Sequence, residues 1–139
     1  MTDKQKQLVQ NSFARVATDP AAAASLFYQR LFELDPELRP LFRSNMEEQG
    51  RKLMQMIAYA VHGLDRLEQL IPAVRDLGAR HGTYGVQPAH YATVGQALLS
   101  TLATALGDEF SPDVREAWTG VYNTLASVMQ EGASKAASA

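Results

Sequence analysis

Cysteine is missing altogether from the 139 residues of this chain. Its absence excludes disulfides, thiolate zinc sites and cysteine-ligated iron–sulfur clusters. A dominant charge is missing too. Thirteen Lys and Arg against fifteen Asp and Glu leave a formal net charge of -2, with no global pull toward nucleic acid or an anionic membrane. No apolar run approaches the roughly 20 residues that a membrane helix needs. The opening stretch, Met1-Thr2-Asp3-Lys4-Gln5-Lys6-Gln7, lacks a signal-peptide core. Neither nucleic acid nor membrane is therefore an expected partner, and the expected location is the cytoplasm. What is present is ordinary for one globular domain. Hydrophobic residues reach 46%, enough apolar surface to oppose the entropy of ordering the chain.

Strict period-2 alternation does not persist, whereas helical spacing recurs along the whole chain. The pattern predicts an all-α fold with six main helices. Leu8, Val9, Phe13 and Val16 share the first apolar face. Asp19-Pro20 reads as an N-cap with proline in the first turn, opening a helix that runs to about Leu34. Asp35-Pro36 repeats the signal for a short helix ending near Phe42. Asn45-Met46-Glu47-Glu48 resembles a capping box and opens a longer helix that Gly63 ends. After Asp65-Arg66-Leu67-Glu68, an apolar stripe of Leu67, Leu70, Ile71, Val74 and Leu77 leads to His81. Pro72 falls inside that stretch and predicts two short pieces. Pro88 and Ser111-Pro112 start the last two helices. From Gly132 onward the residues are small and polar, so the domain is drawn at 1–131 with a flexible tail at 132–139.

The chemical inventory is thin. No P-loop, nucleophile elbow, dinucleotide fingerprint, HExxH or calcium loop is present. Glu47-Glu48 lies at a helix start, where dipole and solvent account for it. His81 stands out because it extends an apolar stripe. Two readings stand at this level. One is a core histidine satisfied by a backbone carbonyl, the commoner case. The other is an axial ligand to a buried iron. A bare ion would need three or four protein donors, whereas heme brings four nitrogens and needs only one. His62 lies nine residues beyond Leu53, about 13 Å along the same helix, and His90 sits near a helix start; both are weaker candidates.

Several stretches, in order, resemble the bacterial single-domain globins and the heme domain of flavohemoglobins. They are Leu26-Phe27-Tyr28, Asp35-Pro36, Pro40-Leu41-Phe42, Gln49-Gly50-Arg51-Lys52-Leu53-Met54, Leu77-Gly78-Ala79-Arg80-His81, and Gly85 through Tyr91 with Val94-Gly95. Trp118 and Tyr122 match the last helix of that family. The resemblance covers about residues 3–131. It implies a globin fold, a 3-on-3 helical sandwich with short connecting helices around heme b (iron protoporphyrin IX). His81 becomes the iron ligand, while Tyr28 and Gln49 become the polar distal residues. Phe42, Leu53, Ile57, Leu77, Val86 and Val94 become pocket residues. Tyr91 matches a proximal tyrosine that, in the flavohemoglobins, is joined by a glutamate. That glutamate's position, eleven residues after Tyr122, holds Ala133 here. Glu131 is two residues off, about 200° round the helix.

The function that the resemblance implies is tight O2 binding at ferrous iron and conversion of nitric oxide to nitrate. Carbon monoxide is a further ligand. Turnover would need a separate reductase, because no flavin- or nicotinamide-binding segment is expected within this length. The enzyme reading is therefore nitric oxide dioxygenase. The alternative is a binding protein that stores, scavenges or senses O2 without turnover.

Overall fold

Helix starts in this chain are written in local chemistry. The computed structural model describes residues 2–42, 45–83 and 88–138, and the side chains within them except those of 41, 81–83, 88 and 134–138. Among the described residues there are six α-helices and no strand. They are α1 (Asp3–Val16), α2 (Pro20–Leu34), α3 (Met46–His62), α4 (Leu67–Thr83), α5 (Pro88–Leu106) and α6 (Pro112–Ser138). Short 3-10 helices occupy Pro36–Leu41, Gly63–Arg66 and Gly107–Glu109.

The caps expected from sequence are in place. Asp19 accepts from the Ala22 N–H at 3.2 Å, and Asp35 accepts from Glu37 at 3.1 Å. Asn45 accepts from both Glu47 and Glu48, and Ser111 from Val114. Each satisfies N–H groups that a helix start leaves without a partner. Gly107, with φ of 58°, takes the left-handed conformation that ends α5.

One expectation fails for a physical reason. Pro72 does not divide α4, which runs unbroken from Leu67 to Thr83. The missing N–H leaves the carbonyl of Glu68 without its helical bond, but Glu68 is exposed and water can replace it. Leu70 and Val74, either side of Pro72, are buried, and burying that face holds the helix together. At the C-terminus, α6 runs on through Gly132 to Ser138.

The core explains these continuities. Val9 and Phe13 of α1, Val61 of α3, Leu102 and Leu106 of α5, and Trp118 and Val121 of α6 form one buried cluster. Trp118 donates its indole N–H to Ser12 Oγ at 2.8 Å, and Ser12 donates to the Leu8 carbonyl at 2.7 Å. That buried polar pair is thereby satisfied. α4 packs mainly along α6, and α2 packs against α5 and α3. The α4–α6 approach is backbone against backbone. A Cβ at Gly78 would enter the Met129 carbonyl, and one at Gly132 would enter the Arg75 carbonyl. No described helix is long and apolar enough to cross a membrane.

Candidate functional site

Tyr28 lies on the inner face of α2 and is 7% exposed. Its ring meets Phe27 and Phe42 edge-on at 5.2 and 5.3 Å, and stacks on Phe32 at 6.0 Å. Arg39 closes the outside of this group, with its guanidinium 5.1 Å from the Phe32 ring centre. Phe42, Leu53 and Val94 all pack against the same cluster, so four of the expected site residues meet here. A fifth joins them: Gln49, in the first turns of α3, hydrogen-bonds to the Tyr28 hydroxyl. The two helices come this close because Gly50 has no side chain. A Cβ there would lie 2.9 Å from the Ala24 Cβ.

The electrostatics follow from this burial. Desolvation pushes the Tyr28 hydroxyl up to about 12, and the bond from Gln49 pulls it back by less. At neutral pH the group is a protonated phenol. With its oxygen accepting from Gln49, its own O–H is left to donate elsewhere.

A second polar feature lies on α5. Tyr91 is buried, and its hydroxyl has no hydrogen-bond partner among the described residues. Burial pushes that hydroxyl above the usual phenol range. Tyr122 of α6 donates to the Tyr91 backbone carbonyl at 2.6 Å. Gly95 makes room for it, since a Cβ there would lie 2.8 Å from the Tyr122 ring. Glu131 is engaged with Arg75 at 3.5 Å and does not serve Tyr91.

The other expected residues fall as follows. Ile57 packs against the main core. Leu77 is half-buried on α4. His81 belongs to α4, but its side chain lies outside the described residues, as does all of Val86. His62 is exposed at the end of α3, and His90 is half-buried in the first turn of α5. An open recess of about 1190 Å³ runs along the outside of α2 and α3 and reaches Tyr28, but its wall does not include Gln49. Tyr28 thus borders the recess as well as the aromatic cluster. Sequence reading missed Phe32 as a site residue. Its signal was the four-residue spacing from Tyr28 on one helix face.

The globin family profile matches residues 25–129 of the chain. The chain is a globin. It is 34% identical over 139 residues to a flavohemoprotein of Vibrio cholerae serotype O1, covering 96% of this chain and 35% of that protein. The globin thus spans about a third of the length of the flavohemoproteins it matches. Neuroglobin of Tetraodon nigroviridis is 32% identical over 149 residues, covering 97% of this chain and 94% of the neuroglobin. Among solved structures, an engineered carbene transferase derived from a Rhodothermus marinus protein assigned as a nitric oxide dioxygenase superposes with a TM-score of 0.88. It is 26% identical, and the match covers 99% of this globin and 96% of that chain.

Membership of the family implies a heme, and the residues present fit one. The Tyr28 cluster is an apolar and aromatic wall carrying one protonated phenol and one carboxamide. On α5, a buried hydroxyl is left over for a partner beyond the described groups. A wall of this kind suits a flat apolar cofactor and a small polarisable ligand.

Proposed function

We propose that this globin holds heme b through His81 and uses it to bind O2 and convert nitric oxide to nitrate. When bound, the heme supplies the iron at which the gas is taken up. The chain's own residues supply the rest. Phe42, Leu53, Ile57, Leu77, Val86 and Val94 furnish apolar contacts that limit water access. Tyr28 donates its O–H to the gas ligand, and Gln49 holds that hydroxyl in place and adds an N–H. Tyr91 offers a hydroxyl to the His81 side, and the position eleven residues beyond Tyr122, where the flavohemoglobins carry a glutamate, holds Ala133. Weaker electron push onto the ligand follows, and with it weaker peroxidase-like chemistry.

The observation that carries this reading is the buried Tyr28 hydroxyl, kept protonated and joined to Gln49 inside an aromatic cage. A hydrogen bond to a ligand that gains negative charge is worth about 1.5–3 kcal/mol. Release of O2 is slowed accordingly, which suits capture and reaction better than transport. The overall change, NO + O2 + e⁻ → NO3⁻, consumes one electron per nitrate. A separate reductase delivers that electron, and the cytoplasm, where such donors are found, is the proposed location.

Two measurements test it. Purified protein given hemin should show a Soret band, and the oxygenated form should yield nitrate on exposure to nitric oxide, with turnover when a reductase is supplied. Protein that stays colourless overturns the heme assignment. Nitrate without reductase-coupled turnover favours O2 storage or scavenging.

A further inference from the structure

Met46 stands on the boundary between the open recess and the Tyr28 cluster. It is half-buried in the first turn of α3. It lines the recess along α2 and α3, and it also packs against the buried group of Phe27, Tyr28 and Leu31. Small solutes in the recess therefore reach a side chain that belongs to the wall of the site. Met54 borders the recess too, but it is only 8% exposed and is part of the main core. Met46 precedes Gln49 by three residues and Leu53 by seven, so the three share one face of α3.

A thioether is a weak acceptor and leaves neighbouring donors to other partners. The donors here are the Tyr28 O–H and the amide N–H of Gln49, the pair that hydrogen-bonds between α2 and α3. Oxidation of the sulfur changes that balance. A hydroperoxide transfers one oxygen atom: the S–O bond forms as the O–O bond breaks, sulfur gives up two electrons, and the peroxide leaves as water or an alcohol. The product is a sulfoxide, which turns a flexible apolar side chain into a polar one. Inside the cluster its oxygen costs free energy until a donor turns to it, and the donors at hand are those that serve the gas ligand. If the side chain swings out into the recess instead, the wall loses an apolar contact and water enters. Both routes weaken the hold on bound gas.

We propose that Met46 is a redox-modification site, oxidised by peroxide to the sulfoxide, and that this loosens the grip of Tyr28 and Gln49 on the gas ligand. The effect on gas binding rests on the heme reading above, whereas the modification itself rests on the placement of Met46. Superoxide lost from an oxygenated iron dismutates to peroxide, so the oxidant follows from the same reading. A methionine sulfoxide reductase returns the thioether, which makes the change reversible.

The test uses the heme-loaded carbon monoxide complex, in which the ligand shields the iron from peroxide. Limiting hydrogen peroxide is added and then removed, and peptide mass spectrometry locates the added oxygen. After carbon monoxide is exchanged for O2, stopped flow gives the O2 release rate. Met46 should be oxidised before Met54, and release should quicken roughly 10-fold, the lower end for withdrawing one hydrogen bond from a charged ligand. Incubation with a methionine sulfoxide reductase and dithiothreitol should restore the original rate. Met46→Leu keeps the volume and apolar character of the side chain. Its release rate should be the same before and after peroxide, although Met54, Met56 and Met129 remain. Oxidation of Met54 with Met46 spared, an unchanged rate in protein oxidised at Met46, or a quickening that persists in Met46→Leu would each overturn the proposal. Protein that takes up no heme but is oxidised at Met46 would instead overturn the function on which the gas effect rests.

Discussion

Replacing Tyr28 by phenylalanine isolates the hydroxyl from everything else the residue does. The ring contacts with Phe27, Phe32 and Phe42, at 5.2, 6.0 and 5.3 Å, survive the change, so no cavity opens. Gln49 is half-buried and can turn its amide to water, which limits the loss of stability to about 1 kcal/mol. The ligand loses a donor worth about 1.5–3 kcal/mol, equivalent to roughly 10- to 150-fold in affinity, expressed mainly as faster release. Mixing oxygenated protein with excess carbon monoxide in a stopped-flow instrument gives the O2 dissociation rate directly. The variant should release O2 at least several-fold faster, and carbon monoxide release should change less, because that ligand gathers less charge. An O2 rate equal to the wild type's, in a variant of undiminished stability, would show that the hydroxyl does not reach the ligand.

Other outcomes follow from the same structure. His81→Gly should lose the Soret band after hemin is supplied; retention of the wild-type spectrum would remove His81 as the ligand. Alkaline titration should find tyrosines ionising late, because burial raises Tyr28 to about 12 and shifts Tyr91 and Tyr122 upward. The folded state then keeps a proton that the unfolded chain gives up near pH 10, so stability is intact below pH 10 and falls as pH rises toward 12. Tyr28 alone contributes about 2–3 kcal/mol to that fall, and denaturant titrations at pH 8 and above pH 11 measure it. Ser12→Ala should cost about 1–3 kcal/mol in the same assay by stranding the Trp118 N–H. Gly78→Ala should destabilise by a similar amount, about 1–3 kcal/mol, since its Cβ has no space against Met129; an unchanged unfolding midpoint would mean that α4 and α6 are not so closely apposed.

Much of this globin is settled by side chains acting on their own neighbours. Asp19, Asp35, Asn45 and Ser111 cap the helices that follow them because a short polar side chain reaches an N–H only two or three residues away. Local chemistry of that range is legible in sequence, as are the apolar faces of α1 and α6 and the order of the helices. Pro72 was misleading for the complementary reason: its local cost is one carbonyl bond, while the packing of α4 along α6 is a property of two distant segments. The same holds at the site. Tyr28 and Gln49 could each be singled out along the chain, but only the close approach of α2 and α3 at Gly50 joins them into one hydrogen-bonded pair. Whether Glu131 would stand behind Tyr91 or pair with Arg75 was likewise a matter of which helix face turned where. Caps depend on chemistry within one turn, whereas pairs, cavities and buried hydroxyls depend on where separate helices come to rest, and that is decided by the packing of the whole core.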